Sequence, residues 1–162
     1  MSEGGIRLRP LETGDLDRVM ELEAELFGPG AWSHGAYVEE LRAADRRYVA
    51  ALDPAGTVVG YAGIALADEA SVMTVGVAGT HRRRGIGRLL LERLLEHARA
   101  ARAREVFLEV RASDTGAQRL YAGAGFEPIG VRKRYYAAEG EDAVVMRLVL
   151  RPRGGPVGAE VR

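Results

Sequence analysis

Apolar and polar residues alternate at Ile6-Arg7-Leu8-Arg9, the period-two pattern of a half-buried strand. The spacing then lengthens towards 3.6 and predicts a helix over about 14–27 and a second over about 33–43, with Ser33 placed to cap the latter. Two apolar runs, RRYVAALD and TVVGYAGIALA, flank the turn sequence Asp53-Pro54-Ala55-Gly56 and predict a hairpin, whose second arm leads into a fourth strand, ASVMTVGV. Leu90, Leu91, Leu94 and Leu95, with Ala98, line one side of a helix over about 85–101. REVFLEVRA predicts a strand, SDTGAQRLYAGAG a short helix closed by Gly125, and FEPIGVRKRYY and DAVVMRLVL two final strands. The order is mixed, of the α/β (α+β) class. Beyond residue 150, RPRGGPVGAEVR is rich in Gly, Pro and Arg and has no period, which predicts a flexible tail over 151–162 behind a domain of residues 1–150.

Composition narrows the classes. A chain of 162 residues is long enough for one well-filled core, and 47% hydrophobic with 28% charged residues is ordinary for a soluble globular protein. Twenty-three basic residues balance 23 acidic ones, which argues against broad nucleic-acid or membrane-surface binding. Cysteine is absent, so disulfides, thiolate metal sites and covalent thiol catalysis are excluded together. His34, His81 and His97 have no metal-ligand spacing, and no metal is expected. No apolar run approaches the roughly 20 residues a membrane helix needs, and MSEGGIRLRP lacks a signal peptide's apolar segment, so the expected location is the cytoplasm.

One stretch poses an electrostatic problem. THRRRGIGRLLLERLL sets Arg82, Arg83 and Arg84 at the start of a helix, the end that already carries roughly half a positive charge. Arg84-Gly85-Ile86-Gly87 also offers no Ser, Thr, Asp or Asn to cap the first turn. An external phosphate would satisfy both the charge and the amides, and Gly85 and Gly87 would admit it closely. A Walker loop is excluded because the only lysine, Lys133, precedes Arg134. A dinucleotide fingerprint would need its third glycine at Leu90, and Ala78 to Arg84 separate the glycines from the preceding strand. The plain alternative is a solvated basic corner, against which stand the helix-end placement and the paired glycines. Gly76, inside the fourth strand, marks either close backbone approach by a ligand along Val75-Gly76-Val77 or small-residue packing.

The run TVGVAGTHRRRGIGRLLLERLLEHA resembles the acetyl-CoA-binding segment of the GNAT superfamily of N-acetyltransferases, with Arg82, Gly85 and Gly87 in the fixed places of its Gln/Arg-x-x-Gly-x-Gly/Ala motif. Downstream, LEVRASDTGAQRLYAGAGFEPIGVRKRYYAAEGEDAVVM is similar to the branch that acetylates protein N-termini. The resemblance implies a seven-stranded, mostly antiparallel sheet with about four helices, splayed between its fourth and fifth strands to hold acetyl-CoA. Val75, Gly76 and Val77 would pair with the pantetheine arm through their backbones, and Arg82, Arg83, Arg84, Gly85, Ile86, Gly87 and Arg88 would cradle the pyrophosphate. Asp114 stands where relatives carry Asn; it caps a helix equally well but brings no amide donor to CoA. Ala78-Gly79 likewise replaces a common Asp-Pro.

The reaction needs a neutral amine, whose ordinary pKa is about 7.7–8.0, and a proton for the departing thiolate, which a phenol of pKa about 10 suits. Glu109 shares a strand face with Phe107 and Arg111, where an acid paired with Arg111 or a neighbouring strand is the plain reading. Tyr121 shares a helix face with Ala117 and Ala124, where core packing is. By resemblance, Glu109 matches the general base and Tyr121 the general acid. Tyr135 and Tyr136 match the hairpin that closes over peptide N-termini, with only one of the two facing substrate because neighbours in a strand point oppositely. Trp32 lines the same entrance or anchors the helix beneath it. The implied activity is direct transfer to the N-terminal alanine of a ribosomal protein, with no nucleic acid or membrane partner. A small amine or lysine side chain as acceptor, and a non-catalytic acetyl-CoA-binding module, remain open alternatives.

Overall fold

The computed structural model describes residues 5–136 and 140–151, with residues 134–136 by backbone alone. Seven strands hydrogen-bond in one sheet: β1 (Arg7–Pro10), β2 (Arg46–Leu52), β3 (Val58–Ala65), β4 (Glu69–Val77), β5 (Glu105–Arg111), β6 (Glu127–Tyr136) and β7 (Glu141–Val149), in the order β1-β2-β3-β4-β5-β7-β6. Among the described residues four α-helices accompany them: α1 (Leu16–Phe27), α2 (His34–Arg42), α3 (Ile86–Ala100) and α4 (Thr115–Gly123). The chain divides into two compact units, one within Met1–Ala65 and Val72–His97, the other within Leu66–Ser71 and Ala98–Arg162.

In the first unit, β2 pairs antiparallel with β1 and with β3 through the predicted hairpin, where the Gly56 N–H donates to the Asp53 carbonyl at 2.9 Å. Asp53 adds side-chain bonds to the Ala55 and Thr57 amides at 3.0 and 2.9 Å, so the turn closes itself. Ser33 caps α2 as its sequence implies, accepting from the Ala36 N–H at 3.1 Å. Leu16, Val19 and Leu22 of α1 and Leu90, Leu91 and Leu94 of α3 are fully buried. Each such leucine contributes about 1.5–3 kcal/mol relative to exposure.

Glycines let aromatic and aliphatic groups lie directly on this part of the sheet. A Cβ on Gly63 would stand 2.1 Å from the ring of Tyr48, its partner across the β2–β3 ladder, and the Tyr48 hydroxyl bonds Glu40 of α2 at 2.7 Å. At Gly60 a Cβ would meet the Gly76 carbonyl at 3.1 Å, Leu90 at 3.1 Å and Ile86 at 3.3 Å, so the first turn of α3 packs close on β3 and β4.

In the second unit, β5 alternates between buried Val106, Leu108 and Val110 and half-buried Glu105, Phe107, Glu109 and Arg111, as its period-two pattern predicts. β7 runs antiparallel to both β5 and β6. Glu69, Ala70 and Ser71 of β4 pair in parallel with Glu105, Val106 and Phe107, a ladder of three residue pairs. Asp114 caps α4 by accepting from the Ala117 N–H at 2.9 Å, and Gly125, at φ 105°, turns the chain out of it.

Candidate functional site

In the first unit, Val75, Gly76 and Val77 are the last three residues of β4. Val75 and Val77 are half-buried, and Gly76 is buried because the ring of Tyr61 covers it: an added Cβ would lie 2.9 Å from Tyr61 Cζ and 3.2 Å from Leu26 Cδ1. The packing of Tyr61 and Leu26 leaves no room for a side chain at this position. The chain leaves β4 with the Ala78 N–H donating to the Val59 carbonyl at 2.8 Å, makes a 3₁₀ turn over Gly79–His81, and enters the arginine run. There Glu25 of α1 accepts from the Gly79 N–H at 3.2 Å.

Arg82, Arg83 and Arg84 are exposed and form no ion pair among the described residues, whereas Arg88 is paired with Glu92 at 2.9 Å. Arg83 adopts φ 62° and Gly85 φ 79°. A left-handed arginine is uncommon for an L-residue and costs about 1–2 kcal/mol. Such alternations of hand bend the backbone into concavities that hold anions. The Gly85 carbonyl accepts from the Leu89 N–H at 3.0 Å, and this glycine has no side chain with which to cap the helix it opens. Exposed cations, left-handed backbone and an uncapped helix start thus coincide, a donor set suited to a diphosphate.

Also in the first unit, Trp32 is half-buried and sits 5.2 Å, centroid to centroid, from Tyr37. Beneath it lies a group that the expectations above missed. Glu23, only 2% exposed, accepts at Oε1 from the Trp32 backbone N–H (2.8 Å) and at Oε2 from the hydroxyls of Tyr37 (2.7 Å) and Tyr61 (2.8 Å). Burial, followed by the bond to Glu23, raises the Tyr37 phenol far above its ordinary value; burial and the Glu23 charge do the same for Tyr61, so both stay donors. The signal was present in the sequence: Glu23 falls at i+4 from Val19 and i+7 from Leu16, on the apolar stripe of α1.

In the second unit, Glu109 forms an ion pair with Arg132 of β6, while Arg111 instead pairs with Glu141 at 3.4 Å. Glu141 also accepts from the Ser113 N–H at 2.8 Å, and these donors hold its carboxyl below the ordinary range, Ser113 contributing most. Gln118 of α4 donates to the carbonyls of Arg111 and Ala112 at 3.1 and 3.0 Å, fixing the helix to the end of β5. Tyr121 is 8% exposed, with its ring edge-on to Phe126 at 6.0 Å. Its packing matches the plain reading of the sequence. Asp114 is exposed and occupied with its cap. Tyr135 and Tyr136 belong to β6 by backbone, and their side chains, like the tail over 152–162, lie outside the described residues. Among the described residues no group of three or more His, Cys, Asp or Glu could hold a metal ion, and no helix is long and apolar enough to cross a membrane.

Residues 16–126 match the Acetyltransferase (GNAT) family. The chain is 41% identical over 157 residues to the N-alpha-acetyltransferase RimI of Mycobacterium tuberculosis, covering 93% of this chain and 95% of that protein. It is 32% identical over 144 residues to a putative [ribosomal protein bS18]-alanine N-acetyltransferase of Bacillus subtilis, covering 88% and 95%. Among solved structures, the ribosomal-protein-S18-alanine N-acetyltransferase of Escherichia coli superposes with a TM-score of 0.82 at 28% identity, covering 94% of this chain and 98% of that one. Arabidopsis thaliana NAA60, solved in complex with acetyl-CoA, shares the fold with a TM-score of 0.81 at 20% identity over 90% of this chain and 98% of that one. With its mixed seven-stranded sheet, its arginine-glycine loop ahead of α3 and a family match over most of its length, this chain belongs to the GNAT family of acetyltransferases.

Proposed function

We propose that this protein is a cytoplasmic, acetyl-CoA-dependent Nα-acetyltransferase that modifies the N-terminal alanine of a ribosomal protein by direct transfer. The observation that carries the reading is the 41% identity, across 93% of the chain, with an N-alpha-acetyltransferase. The bS18-alanine activity in the names of the Bacillus and Escherichia relatives supports the choice of acceptor.

Acetyl-CoA supplies an acetyl group activated as a thioester. On the protein's side, Arg82, Arg83 and Arg84, with the amides that follow Gly85, bind the diphosphate, and the backbone of Val75–Val77 orients the pantetheine arm. Glu109 receives the proton that the acceptor ammonium must lose before its nitrogen is nucleophilic, directly or through one water. Arg132 engages its Oε2, leaving Oε1 for the acceptor. Tyr121 gives its hydroxyl proton to the departing sulfur. We assign Trp32 to the lining of the acceptor's entrance.

The test is a panel of short peptides with varied N-terminal residues, incubated with the protein and acetyl-CoA, with the added acetyl group located by fragment mass. Alanine-initiated peptides with the bS18 N-terminal sequence should be modified at the α-amino group. A panel with no α-acetylated product, or with acetyl on lysine side chains only, overturns the proposal.

A further inference from the structure

We infer that Glu23 is a positioning residue for the acceptor: its carboxylate fixes Trp32 in the wall that the substrate's first residues meet. The inference rests on the reading above that Trp32 lines that entrance.

Packing alone does not call for an acid at this position. An apolar side chain at 23 would continue the stripe of Leu16, Val19 and Leu22 with no desolvation penalty, and a buried carboxylate is costly unless its oxygens are well bonded. Here both oxygens are bonded, and two of their three partners converge on one side chain. The Oε1 bond holds the Trp32 backbone N–H directly. Through Oε2, the Tyr37 hydroxyl is held as well, and the Tyr37 ring lies 5.2 Å from the Trp32 indole, tilted by 45°. Ser33, the next residue, is committed to the cap of α2. Glu23 therefore reaches the indole by two routes, its main chain and its stacking partner. Tyr61 shares Oε2, but its ring lies over Gly76.

Trp32 is the only tryptophan in the chain, so its fluorescence reads the clamp without reference to catalysis. Glu23→Ala is expected to shift the indole emission to the red and make it more accessible to acrylamide. Against an alanine-initiated peptide it should raise KM roughly tenfold, as loss of a charge-assisted bond implies, while kcat and acetyl-CoA affinity stay near wild type. Glu23→Gln, which still offers an oxygen to the Trp32 N–H, should restore both readings. Tyr61→Phe should lower Tm without moving the emission. An unchanged emission in folded Glu23→Ala overturns the inference, as does a Glu23→Gln variant as impaired as Glu23→Ala, or a fall in kcat with KM unmoved. If Glu23→Ala does not fold, Glu23→Gln with displaced emission, or Trp32→Ala with unaltered peptide KM, overturns it equally. Failure of the wild-type protein to acetylate any peptide would sink the proposed function, and the fluorescence comparison would still decide the clamp.

Discussion

Glu109 occupies a setting that would serve a structural acid as well as a catalytic one: half-buried on β5, with its carboxylate held by Arg132. Tyr121 is similarly ambiguous, since its ring fills core space against Phe126. Their substitution separates chemistry from packing. Glu109→Gln and Tyr121→Phe keep the shape of each side chain, so acetyl-CoA binding by calorimetry should stay near wild type while kcat falls by about 10²–10⁴, the usual worth of a positioned proton donor or acceptor. A variant with undiminished turnover would remove that residue from the mechanism. Sequence alone placed Glu109 on the correct strand face and Tyr121 on the packed face of its helix. It did not reveal Arg132 as the partner of Glu109, because that contact depends on β6 lying beyond β7 in the sheet. Glu23 escaped for a different reason: a single acid on an apolar stripe acquires meaning only when its donors, Trp32, Tyr37 and Tyr61, arrive from three other segments.

The start of α3 shows the element scale. Its sequence carries the conflict between three arginines and a positive helix end, and the structure leaves that conflict in place, with exposed side chains and a glycine where a cap would stand. Arg84 immediately precedes Gly85, so Arg84→Asp should stabilise the ligand-free protein by about 1 kcal/mol, roughly 2–4 °C in Tm for a chain of this size. The same change should weaken CoA binding. Opposite signs in thermal unfolding and calorimetry are the expected result, and undiminished affinity for CoA would show that this corner does not hold the diphosphate. Elements with local signals were legible: the Asp53–Gly56 turn, the caps at Ser33 and Asp114, and the leucine stripe of α3 all lie where their residues direct. The left-handed Arg83 was not, because nothing in an arginine's chemistry asks for positive φ. The short 3₁₀ turns over Thr13–Asp15, Gly28–Gly30 and Gly79–His81 were not either, since three residues are too few to display a period.

For the molecule as a whole, the balance of 23 cations and 23 anions hides unequal environments that set its response to acid. Burial, followed by the charges of Arg47 and Arg93, holds His97 below its ordinary 6.5, so folding favours its neutral form. Its contribution to stability is complete above about pH 6.5 and is lost as pH falls through the depressed folded value. Asp15 is held below its ordinary 3.8, chiefly by paired bonds from Arg9 at 2.8 and 2.9 Å, and Glu141 below its ordinary 4.5 by Ser113 and Arg111. Both contribute fully above those values and lose their effect as pH falls through the lowered ones. Thermal unfolding should therefore show a Tm that is level from about pH 6.5 to about pH 9, below the ordinary range of the tyrosines, and declines in two stages on acidification, with the upper stage absent from His97→Gln. A single acid stage in the parent protein would contradict the assignment to His97.

The aromatic plate over β3 bears on how such a sheet can vary. Because the Tyr48 ring occupies the place of any side chain at residue 63 and is tied by its hydroxyl to Glu40, enlarging that glycine would displace α2 along with the ring. The two positions are thus free to drift only as a couple: a lineage that gives up the tyrosine opens residue 63 to substitution, and one that keeps it stays committed to glycine.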